Sequence, residues 1–201
     1  MINEQETLKE LKKFCYKSMN KLLWIPIWAF ILFPAIMEFF GIGKNGYVMS
    51  VILAIVVLVF LKIRSNWASD EFNTLLKVVK EDGLYDVLLE DFAKNKNNMF
   101  YNVMLGNFFI VEKNGGSLLM MMPYSAIGSL QVHVGENIDR ERTASIRVSS
   151  NDKRYQRRGM EQAIFINPDT AKVDYEMFCK RVLERNPNVY INYYSEGVMV
   201  I

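Results

Sequence analysis

Leu22–Phe40, LLWIPIWAFILFPAIMEFF, and Tyr47–Ile63, YVMSVILAIVVLVFLKI, are two apolar runs separated only by GIGKNG. At about 1.5 Å rise per residue they extend roughly 28 and 25 Å as helices, close to the hydrocarbon thickness of a bilayer. They predict a transmembrane hairpin over 22–63 in an integral membrane protein. Five lysines precede the first run, Lys44 stands alone between the two, and Lys62 and Arg64 end and follow the second. That asymmetry predicts that both termini are cytoplasmic. Trp24, Trp28 and Tyr47 lie near run ends and Trp67 just past one, where amphipathic rings favour an interface. Pro26 and Pro34 read as packing features that membrane helices tolerate. Glu38 is the one acidic residue inside either run, three positions from Gly41. Two readings of it stay open, interfacial placement and an intramembrane proton or ion role.

Residues 1–21 precede the hairpin with Lys9, Lys13, Lys17 and Lys21 at four-residue spacing and with Leu8, Leu11 and Phe14 on other faces. An amphipathic helix is predicted there, running into the first span, its lysine stripe either a solvated face or an attraction for anionic lipid headgroups. Lys and Arg outnumber Asp and Glu 8 to 4 over residues 1–67, whereas over 68–201 the balance is 16 to 18. A nucleic-acid partner needs a basic surface on the folded domain, so that class is excluded. Cys15 and Cys179 have neither metal-ligand spacing nor a close pairing, which fits a reducing compartment.

Beyond Trp67 the periodicity becomes helical. Phe72, Leu75, Leu76 and Val79 share one face; after Gly83, so do Leu84, Val87, Leu88 and Phe92, giving a helical connector over 68–96. Its seven acidic residues between Asp70 and Asp91 read as a solvated face or a docking surface for a basic partner. Over 97–201 an α+β domain is expected. Turn signals at Gly106-Asn107, Asn114-Gly115-Gly116 and Gly135-Glu136-Asn137 punctuate an antiparallel meander with strands near 99–105, 108–113, 117–123, 127–134, 143–149 and 161–167. The apolar run Met120–Met122 reads as a strand covered on both faces or as a flexible binding surface. A helix follows from Val173 to Arg185, stopped by Asn186-Pro187, and NVYINYYSEGVMVI after it has strand character.

Leu105–Val111 (LGNFFIV), Met122–Ile127 (MPYSAI) and Tyr175–Phe178 (YEMF), in that order, resemble the first hairpin, a strand exit and the helix start of the pleckstrin-homology-like fold. The resemblance covers roughly 99–186 and implies a bent sheet plugged by a C-terminal helix. Uncharacterised bacterial membrane proteins join such a domain to a transmembrane hairpin, which implies a plasma-membrane location. Phosphoinositide binding is not implied, because Gly106-Asn107 carries none of the basic residues used for it. The basic cluster lies elsewhere, with Lys153, Arg154, Arg157 and Arg158 in one loop. That loop reads as a solvated hairpin tip or as a contact for anionic lipid or an acidic partner.

No P-loop, GxGxxG after a strand, HExxH or GxSxG is present, and no cofactor or metal set is read. The single histidine, His133, sits between Val132 and Val134 with no nucleophile or ligand partner visible in sequence. The expectation is a binding or regulatory module held at the cytoplasmic face, contacting the bilayer, anionic headgroups or a protein partner. Its rival is a small membrane enzyme, or a transporter or assembly subunit, using Glu38 or a site around Tyr124, His133 and Arg147.

Overall fold

Asn3 opens the first helix, its side chain accepting from Glu6 N, and the chain is described from there in a computed structural model over residues 3–16, 55–56, 59, 69–115, 119–136, 141–156 and 162–192. Helix α1, Glu4–Cys15, carries Glu4 and Glu6 in its first turn and Lys12 and Lys13 in its last, the charge order a helix dipole favours. Its apolar face enters the core: Leu11 is fully buried, and Phe14 meets Phe92 edge-on with ring centroids 5.3 Å apart. The helix stops at Cys15 because Tyr16 is extended, so it does not continue toward residue 22 as the sequence suggested. Helix α2 covers 69–81 and helix α3 Tyr85–Asn95. Gly83 separates them at φ +70°, a conformation costly to any residue with a Cβ.

The structure corrects the expected transmembrane hairpin, the integral-membrane placement and the cytoplasmic assignment of the termini. Among the described residues no helix is long and apolar enough to cross a membrane. Helices α1 and α3 have 12 and 11 residues, and the last helix 13, against the roughly 20 apolar residues a span requires. The runs 22–40 and 47–63 themselves, with Glu38, Lys17 and Lys21, lie outside the described residues. Of the second run only Ile55, Val56 and Val59 are described, as helical and exposed.

Among the described residues eight strands form two sheets in place of one bent meander. Strands β1 (Met99–Phe100), β2 (Val103–Leu105), β3 (Phe109–Glu112) and β4 (Met121–Pro123) make an antiparallel sheet in chain order. The expected strand 99–105 is broken at Tyr101, whose φ of 53° turns the chain back on itself. β2 and β4 are buried on both faces, which accounts for the unbroken apolar run at Met120–Met122. A 3₁₀ turn at Tyr124–Ala126 then carries the chain into the second sheet, ordered β7-β6-β5-β8. Here β5 (Ile127–Glu136), β6 (Arg142–Ser150) and β7 (Gln162–Ile166) are antiparallel neighbours, and β8 (Tyr190–Asn192) lies parallel to β5. Between β7 and β8 runs helix α4, Ala171–Leu183, whose buried Tyr175, Phe178, Cys179 and Val182 join the core.

Candidate functional site

Helix α4 has apolar residues on more than one face. Tyr175, Phe178 and Val182 face the core, while Val173, Met177 and Leu183 are exposed at 67%, 54% and 39%. The helix ends where Asn186, itself buried, uses its side-chain amide to donate to Tyr124 O (2.8 Å) and Ile127 O (3.0 Å) and its Oδ1 to accept from Asn188 N (3.1 Å). This one side chain joins the 3₁₀ turn before β5 to the loop after α4. The chain is thereby aimed back along β5, where Ser129, Leu130 and Gln131 pair with Tyr190, Ile191 and Asn192. Tyr175 fixes the return: its hydroxyl lies 2.6 Å from Asn192 O and 2.9 Å from Leu130 O and donates to these carbonyls.

Between α4 and β8 this leaves a groove of about 520 Å³, lined by Tyr175, Glu176, Cys179, Lys180, Leu183, Glu184 and Ile191. Tyr175, Cys179, Leu183 and Ile191 supply its apolar lining. Glu176, Lys180 and Glu184, four residues apart, alternate in charge along the helix. β8 is the last strand of its sheet, with a strand neighbour on one side only among the described residues. Burial pushes the Cys179 thiol up to about 11, with Tyr175 pulling it down through a hydrogen bond and Glu176 adding to the rise. The thiol is therefore protonated at neutral pH, suited to packing rather than to attack. The groove is an apolar slot beside β8, the last strand of its sheet among the described residues.

The residues singled out from sequence lie elsewhere. Lys9 and Lys13 are exposed on α1. Lys153 is exposed as well, but Arg154 is engaged: its guanidinium contacts Asp82 Oδ1 at 2.8 Å and Asp152 Oδ2 at 2.7 Å. Both bonds raise the Arg154 pKa, and in return Arg154 holds the Asp152 carboxyl below its ordinary range. The neighbouring Tyr155, almost fully buried, donates to Asp82 Oδ2 at 2.7 Å. This part of the loop is thus pinned to the turn after α2. Arg157 and Arg158 lie outside the described residues. Tyr124 does not join His133 and Arg147, which are diagonal neighbours across β5 and β6 in a ladder that pairs Gln131 with Arg147 and His133 with Ser145. Tyr124 is buried against Gly106 O, its phenol pushed up to about 12 chiefly by burial, whereas His133 lies on β5 opposite Ser145. Six strand residues at about 3.3 Å each put His133 roughly 20 Å from the start of β5. Among the described residues no group of three or more His, Cys, Asp or Glu side chains is placed to hold a metal ion.

Two carboxylates are held inside the fold in a way the sequence did not show: buried Asp91, read from sequence as part of a solvated or docking acidic face, and half-buried Glu112. Asp91, on α3, accepts from the backbone N–H groups of Asn107 (2.7 Å), Phe108 and Phe109 (both 2.9 Å) and from the Asn95 side chain (2.8 Å). Glu112, on β3, accepts from Asn102 Nδ2 (2.9 Å) and Met120 N (3.2 Å). Desolvation pushes the Glu112 carboxyl up to about 7 despite both bonds.

No protein-family model, no curated protein and no solved structure matches the chain. The resemblance to the pleckstrin-homology-like fold finds no support in these comparisons.

Proposed function

We propose that the protein is a binding module that receives an extended, apolar segment of a protein partner in the groove between α4 and β8. The observation that supports this most is the juxtaposition of an apolar slot with a strand edge. A guest backbone gains hydrogen bonds from β8 while alternate side chains enter among Tyr175, Cys179, Leu183 and Ile191. A protein segment is favoured over an anionic lipid because the groove lining is mainly apolar and Arg154, a leading member of the basic loop, is paired with two aspartates.

The test is a displayed library of short extended peptides passed over the full chain, with recovered peptides measured by fluorescence anisotropy. The expected set carries apolar residues at alternate positions. Leu183→Asp, at a half-exposed groove position, is expected to weaken binding about tenfold or more, the loss of roughly 1.4 kcal/mol that a charge in an apolar contact readily exceeds. Lys153→Glu is expected to leave it unchanged. Peptides that bind the Leu183→Asp protein as well as the original would overturn the assignment.

A further inference from the structure

We infer that Arg181 and Arg185, on the flank of α4 turned toward the first sheet, form a binding site for a phosphate group beside Tyr124. The site is separate from the groove, whose helical lining at Glu176, Lys180 and Glu184 belongs to another stripe of α4. Asp174, Phe178, Arg181 and Arg185 fall at i, i+4, i+7 and i+11, one side of a helix and of the turn that closes it. Three of the four show what that side meets. Asp174 Oδ2 accepts from the Tyr101 hydroxyl at 2.7 Å, and the Phe178 ring lies 5.2 Å from that of Phe100. The Arg185 guanidinium carbon stands 5.2 Å from the centre of the Tyr124 ring, a cation–π contact that orients it. Burial raises the Tyr124 phenol to about 12, and Arg185 and Arg181 both work against that rise, which brings the two cations to one place.

Their pairing sets them apart from other partly buried charges of the fold. Asp91 is met by four N–H donors, Glu112 by two, and Arg154 by two carboxylates. Arg181 is half-buried, yet among the described residues its guanidinium makes no hydrogen bond or ion pair. Arg185, its side chain 18% exposed, donates from Nη1 to Arg181 O at 3.1 Å and has one carboxylate near, Glu184 Oε2 at 3.5 Å on a half-exposed side chain. The Nε atoms of both arginines are shut off from solvent without a hydrogen-bond partner among the described residues. Asp91 also acts on the Tyr124 phenol, but both its oxygens are taken by backbone and Asn95 donors. Two cations about 6 Å apart along the helix therefore share one loosely held anion, an arrangement that costs free energy unless an anion joins them. Guanidinium forks suit the oxygens of phosphate and carboxylate alike, and the doubled charge selects the phosphate dianion.

The experiment is calorimetric titration of the full chain with inorganic phosphate at about pH 8, where the dianion prevails, against acetate at matched ionic strength. Saturable uptake of phosphate and none of acetate is expected. Arg181→Gln is expected to weaken phosphate binding roughly tenfold or more, and Arg181→Lys, which keeps the charge and loses the fork, by less. Lys172→Gln removes the same charge from an exposed position of the same helix and is expected to change nothing. Without phosphate, Arg181→Gln is expected to unfold at or above the temperature of the original protein, since it removes an unpaired charge. A second arm floats the protein with phosphatidylcholine vesicles with and without phosphatidic acid. Flotation that needs both phosphatidic acid and Arg181 assigns the phosphate to a lipid headgroup, and calorimetric uptake without flotation assigns it to a soluble compound. Absence of uptake up to about 10 mM together with absence of flotation would overturn the inference. So would equal binding by Arg181→Gln and the original, or an equal loss in Lys172→Gln. If Arg181→Gln does not fold, Arg181→Lys decides, and phosphate binding by it indistinguishable from the original overturns the site.

Discussion

Asp91 does at one position what a bound anion does at a cluster of backbone amides. Its carboxylate collects three successive N–H groups of the β2–β3 turn, so the turn conformation and the end of α3 are fixed by a single side chain. Gly106 is required beside it, since a Cβ there would collide with the Asp91 carboxylate and lie 2.9 Å from Phe109 O. Asp91→Ala strands one buried and two part-buried backbone donors and is expected to cost roughly 3 kcal/mol in urea unfolding, the scale of lost charge-assisted bonds. Glu112 gives a pH signature. Its carboxyl is raised from 4.5 to about 7 by burial, so the folded state holds the proton more tightly than the unfolded chain. The associated stability is complete below the ordinary glutamate range and is lost as pH rises through about 7, to a total of roughly 3 kcal/mol. The difference in unfolding free energy between the original protein and Glu112→Gln should therefore change between pH 4 and 8 and level off above; a difference flat in pH would refute the assignment.

At the scale of elements, α1 is a docked part of the core rather than a detached basic arm. Leu11→Ala is expected to cost about 2–5 kcal/mol, as for other fully buried leucines, whereas Lys9→Ala on the exposed face is expected to cost little. The loop after β6 is tied down by Tyr155, and Tyr155→Phe should lose about 1 kcal/mol by removing its bond to Asp82. Most element positions were legible because they depend on local periodicity. The 3.6-residue pattern at Phe72, Leu75, Leu76 and Val79 gives α2, and turn residues at Gly106-Asn107 separate β2 from β3. The division into two sheets was not legible, because pairing depends on which edges meet and nothing in the run from Met122 to Ile127 states that the chain changes sheet. Asp91 and Asn186 were missed for a related reason: their partners lie 16–18 and 59–62 residues away. Arg154 was read as part of a solvated or contacting loop tip, because Asp82, one of its two partners, lies 72 residues away in sequence. The membrane reading rested on the hydropathy of 22–63 and on the lysines and aromatic residues around it; those runs lie almost wholly outside the described residues, and none of the described helices is long and apolar enough to cross a membrane.

For the molecule as a whole, the groove proposed to bind a partner lies where the second sheet ends among the described residues. β5 has β6 on one side and the short parallel strand β8 on the other, and α4 covers the pair while leaving the slot beside Ile191. The opposite edge, β7, also exposes an aromatic residue, Phe165, but has no comparable groove among the described residues. A photo-crosslinking side chain at position 183, compared with one at 165, separates the two edges directly in the full protein. The account predicts that a peptide selected for binding joins covalently at 183 and not at 165. Crosslinking at 165 alone, or at neither position while the peptide remains bound, would contradict it.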